Sequence, residues 1–75
     1  MQDQQVFDIL SRHVKDSKAL QKVSENPETN LFDVGLDSMA SFFMLDDFEQ
    51  EGVHIEFTDF VAHPTLAFLR EEALR

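Results

Sequence analysis

Apolar residues recur at Val6, Ile9, Leu10 and Val14, with Phe7 and His13 beside them, and this i, i+3, i+4 spacing predicts an amphipathic helix over residues 4–17. Between residues 18 and 37 the periodicity weakens. Ala19, Leu20 and Val23 prolong or restart a turn there, and Asn26-Pro27-Glu28 reads as an N-cap followed by proline in the first helical position. Leu31 and Phe32 are expected to plug the core from this long, partly structured loop. A second helix is expected over 38–51 and ended by Gly52, with Met44, Leu45 and Phe48 on its buried face and Met39, Phe42 and Phe43 on an exposed or rim face. Val53 and Ile55 alternate with His54 and Glu56, but no second strand exists to pair with them, so an extended connector is expected. Thr58 is expected to cap a one-turn helix over 59–62 with Phe57 or Phe60 turned inward. Pro64 blocks continuation, and Thr65 caps a last helix to about residue 73. The pattern as a whole is all-α: a four-helix bundle with a short third helix and a long loop between helices one and two.

With 75 residues, the chain is expected to form one domain over 1–75, too small for a large enzyme with a buried cleft. Eight phenylalanines and an apolar fraction of 43% suffice for a packed core, so a net charge of −9 does not signal disorder. No cysteine is present, which removes disulfides, thiolate metal sites and a polypeptide thiol nucleophile from consideration. The polar, acidic start Met1-Gln2-Asp3-Gln4-Gln5 is unlike a signal peptide, and no apolar run reaches membrane-spanning length, so a cytoplasmic monomer is expected. There is no repeat, low-complexity tract or linker, as in a free-standing domain.

The charge is unevenly distributed. Lys and Arg occur at Arg12, Lys15, Lys18, Lys22, Arg70 and Arg75, while the stretch from Val23 to Leu69 holds none and carries ten acids. Phosphate backbones would be repelled by this field, so nucleic acid is not an expected partner; basic protein surfaces are. At the centre of that stretch lies Asp33-Val34-Gly35-Leu36-Asp37-Ser38-Met39. Gly35 can take a positive φ, which lets the chain turn sharply before Asp37 and Ser38 open the second helix, leaving the Ser38 hydroxyl in solvent. A loop of this length is expected to be functional.

Read with its flanks, this segment resembles the 4′-phosphopantetheine attachment site of acyl, aryl and peptidyl carrier proteins, in which Asp-Ser followed by Leu, Met, Val or Ile comes after a Gly-x-Asp-Ser loop. The resemblance extends through Leu31-Phe32, the helix after the serine, Ile55, Phe60 and His63-Pro64-Thr65-Leu66, and so covers nearly the whole chain. It implies a carrier-protein bundle in which Ser38 is the attachment residue, Gly35 and Asp37 shape its loop, and 4′-phosphopantetheine is transferred from coenzyme A by a phosphopantetheinyl transferase using Mg²⁺. The arm's thiol would then hold acyl, aryl or aminoacyl thioesters and carry them between enzymes. Partner recognition would fall on Met39, Phe42, Phe43 and Asp46. Gly35-Leu36-Asp37-Ser38 and Phe60-x-x-His63-Pro64-Thr65 look most like the carriers of nonribosomal peptide synthesis, whose partners are adenylating (loading) and condensation enzymes. The acidic second helix is similar to that of fatty-acid and free-standing polyketide carriers, and Glu25-Asn26-Pro27 with Leu31-Phe32 is similar to D-alanyl carriers.

Catalysis by the chain itself is not expected. A serine hydroxyl needs a base to become nucleophilic, and His13, His54 and His63 fall on separate predicted elements. The three histidines match no zinc spacing, and Asp33-x-Gly35-x-Asp37 lacks the remaining ligands of a calcium loop, so no metal site is expected. A second class of function stays open: a noncatalytic helical module that uses an acidic, Phe-rich helix to bind a basic partner.

Overall fold

The computed structural model describes residues 1–75 and contains five α-helices and one 3-10 turn, with no strand. The helices are α1 (Asp3–Ser11), α2 (Ser17–Glu25), α3 (Ser38–Gln50), α4 (Phe57–Ala62) and α5 (Leu66–Ala73), and the 3-10 turn spans Leu31–Val34. Fifteen apolar residues form one core. Val6, Ile9 and Leu10 enter it from α1, Met44, Leu45 and Phe48 from α3, Phe60 from α4, and Leu66, Leu69 and Ala73 from α5. The all-α bundle and the buried face of the central helix thus match the sequence pattern.

Several boundaries differ. The helix expected over 4–17 stops at Ser11, and the segment read as partly structured loop contains α2. Val14 keeps the apolar spacing and is 2% exposed, but it reaches the core from a turn in which Arg12 and His13 N–H donate to the Ile9 and Leu10 carbonyls. Spacing reports which side chains are buried, whatever backbone delivers them. The restart at Ser17 follows from Asp16, whose carboxylate accepts from Lys18 N–H at 3.0 Å as an N-cap. Val23 is fully buried from α2. Asn26 therefore ends a helix: it is the C-cap of α2, and its side-chain oxygen accepts from Glu28 N–H in the following turn. The short helix likewise starts at Phe57 rather than under a Thr58 cap. Its N-cap residue is Glu56, which makes no side-chain capping bond.

Tertiary bonds tie the loop before α3 to the far end of the chain. Leu31 N–H donates to the Pro64 carbonyl at 2.8 Å and Ala67 N–H to the Pro27 carbonyl at 3.0 Å. Leu31 is fully buried, and half-buried Phe32 meets Phe60 edge to face at 5.8 Å. A second tie joins the turn after α1 to α3, where half-buried His13 Nε2 lies 2.8 Å from Asp47 Oδ2. Thr65 caps α5 as expected, its hydroxyl accepting from Phe68 N–H at 3.1 Å. No helix is long and apolar enough to cross a membrane.

Candidate functional site

The turn into α3 is built by three adjacent residues. Gly35 has φ +101, in the region that side chains with a Cβ resist, and its N–H donates to the Leu31 carbonyl to close the 3-10 turn. Leu36 then turns inward and is 1% exposed. This isolated apolar residue between Gly35 and Asp37 was not expected in the core. It anchors the loop directly beside the site. Asp37 is the N-cap of α3: its carboxylate accepts from Ala40 N–H at 2.7 Å, and its carbonyl accepts from both Ser41 N–H and the Ser41 hydroxyl. Ser41 faces the core, fully buried, with its hydroxyl satisfied by that bond.

Ser38 follows as the first residue of α3 and is exposed. Because Leu36 faces in and Asp37 is engaged in capping, the serine is held at a defined place, the first turn of a capped helix. The residues fit a phosphopantetheine arm on two counts. The oxygen that would be esterified is reachable, and the amino end of a 13-residue helix favours the negative charge of a phosphodiester.

Beyond Ser38, α3 presents Met39 (68% exposed), Phe42 (56%) and Phe43 (59%), with exposed Asp46 in the next turn. All four sequence-derived candidates for recognition are therefore at the surface, on the helix that Ser38 opens. Phe42 is not free, however. It stacks on Phe57 of α4 with ring centroids 4.1 Å apart and planes 11° apart, over a shallow groove lined by Leu45, Asp46, Glu49 and Ile55. That pair was invisible in the sequence, which left open whether Phe57 or Phe60 turned inward. Phe60 is fully buried and Phe57 half-buried.

The histidines lie apart from the serine's surroundings in their bonding. His13 pairs with Asp47, His63 sits 5.9 Å from the Phe68 ring, and exposed His54 bridges Glu49 and Glu56. No group of three or more His, Cys, Asp or Glu side chains is placed to hold a metal ion.

Comparison with known families agrees with this geometry. The model described as "Phosphopantetheine attachment site" matches residues 17–70, from the start of α2 into α5, a span that includes the Gly35–Ser38 turn. No significant match is found among curated proteins or among solved structures. A match over more than half of the chain, on an all-helical bundle, establishes the family: the chain belongs to the phosphopantetheine-attachment-site family and is a carrier protein domain that bears 4′-phosphopantetheine covalently.

Proposed function

We propose that Ser38 is the residue that receives 4′-phosphopantetheine, and that residues 1–75 form one carrier domain serving a nonribosomal peptide pathway. The observation that carries the attachment site is the exposed serine at the first position of α3, fixed by the Gly35 turn and the Asp37 cap. In the transfer, the Ser38 hydroxyl gives its proton to a base of the transferase and its oxygen bonds to the phosphorus of the pantetheine-linked phosphate of coenzyme A. The adenine nucleotide portion leaves. Once bound, the arm supplies a thiol that holds an acyl or aminoacyl group as a thioester. The chain's own residues present and orient. In this reading the base that activates Ser38 belongs to the transferase.

Met39, Phe42, Phe43 and Asp46 form the proposed docking face: exposed apolar side chains beside acids, suited to a partner with an apolar contact ringed by Lys or Arg. The peptide subtype rests on Gly35-Leu36-Asp37-Ser38 and on Phe60-x-x-His63-Pro64-Thr65. The acidic character of α3 favours the second reading, a polyketide or fatty-acid carrier. Neighbouring genes separate the two: an adenylating enzyme with a condensation domain supports the peptide assignment, and a ketosynthase overturns it.

The attachment site is tested by intact mass. On incubation with coenzyme A, Mg²⁺ and a broad-specificity phosphopantetheinyl transferase, the chain is expected to gain one phosphopantetheine and Ser38→Ala none. Modification of Ser38→Ala would move the site elsewhere. An unmodified parent chain would favour the noncatalytic interaction module.

A further inference from the structure

The connector between α3 and α4 holds an ion triad that the carrier reading does not use. Gly52, at φ +85, ends α3: its N–H donates to the Glu49 carbonyl and Val53 N–H donates to the Phe48 carbonyl, the paired bonds of a Schellman stop. Two residues further on, the His54 ring reaches back with Nδ1 to Glu49 Oε2 at 2.7 Å and forward with Nε2 to Glu56 Oε1 at 2.8 Å. A neutral imidazole has one N–H and can donate to one carboxylate only. Contacts this short from both ring nitrogens to two ionised carboxylates require the imidazolium.

Glu56 is the N-cap residue of α4, yet it makes no capping bond. Its carboxylate is turned to His54 instead. A helix of six residues is too short to be stable alone. Its start is held by buried Ile55, by the Phe57 stack on Phe42, and by this bridge to Glu49 near the end of α3. We propose that the His54 imidazolium is a built-in cationic brace that fixes the start of α4 against the end of α3 and thereby sets the position of Phe57 beside Phe42. His54 is in this sense a positioning residue, whether or not Ser38 is modified.

The charged groups acting on the ring are Glu56 of the α4 cap and Glu49 of α3, and their hydrogen bonds and charges push its pKa from 6.5 up to about 9. Asp46 lines the same groove as Glu49 but is bonded to Gln50. A folded pKa raised above the unfolded one means that the brace is complete below pH 6.5 and is lost as pH rises through about 9.

The test is a proton NMR titration of the full chain. The His54 ring resonances are expected to titrate near pH 9, the Phe57 ring and Ile55 amide signals to shift with the same midpoint, and Glu49→Gln or Glu56→Gln each to lower that midpoint. In His54→Gln the alkaline shift of Phe57 should vanish, and in His54→Lys it should return at a higher pH. A His54 midpoint near 6.5, or Phe57 signals that ignore the titration, would overturn the brace. Should His54→Gln unfold, the parent and the two glutamine variants still decide the matter.

Discussion

Asp37 performs two tasks at the amino end of α3. Its side chain satisfies the Ala40 N–H, and its carbonyl takes both the amide and the hydroxyl of Ser41. The neighbouring Ser38 owes its defined position to these bonds and to the inward turn of Leu36. Replacing Asp37 with Ala removes the cap and is expected to cost about 1 kcal/mol. Urea denaturation should show that loss, and Asp37→Asn, which keeps the accepting oxygen, should recover most of it. Equal midpoints for Asp37→Ala and the parent would mean that the cap does not hold the turn.

At the scale of elements, α3 has unlike outer residues. Phe42 contributes to the α3–α4 corner through its stack on Phe57, whereas Phe43 and Met39 are more exposed and make no aromatic pair. Phe42→Ala is expected to lose about 0.5–1.5 kcal/mol with the ring pair. Phe43→Ala should stay within about 0.5 kcal/mol of the parent in stability. Both should slow transfer of the thioester load from the arm while leaving phosphopantetheine attachment near the parent rate. A Phe43→Ala variant that transfers at the parent rate would remove that residue from the proposed docking face. Phe42 alone cannot answer the question, because its truncation also disturbs α4.

For the molecule as a whole, charge is segregated along the chain. Its cations lie at Arg12, Lys15, Lys18 and Lys22 and again at Arg70 and Arg75, and the serine sits in the acidic stretch between. If the proposed docking face is correct, such a distribution would steer a basic partner toward α3 and be screened by salt. Modification by a basic transferase should therefore slow as ionic strength rises toward about 1 M, where the screening length falls to about 3 Å. A rate indifferent to salt would leave the acidity a matter of solubility alone.

Several features were written in the sequence because they are local. The Gly35 turn, the serine after the Asp37 cap, the Thr65 cap, the Gly52 stop and the buried stripe Met44, Leu45 and Phe48 each follow from a residue's own conformational preference or from helical spacing. Periodicity placed Val14 in the core correctly but failed to give its backbone, since a residue can reach the core from a turn as well as from a helix. It failed at Leu36 too, because one apolar side chain in a loop has no period. The Phe42–Phe57 stack and the Glu49–His54–Glu56 bridge were decided by the tertiary fold alone. The stack depends on where α4 lands relative to α3, which is set by core packing across the whole chain, and the bridge, though confined to residues 49–56, depends on the path of the connector between those helices, which no periodicity reports.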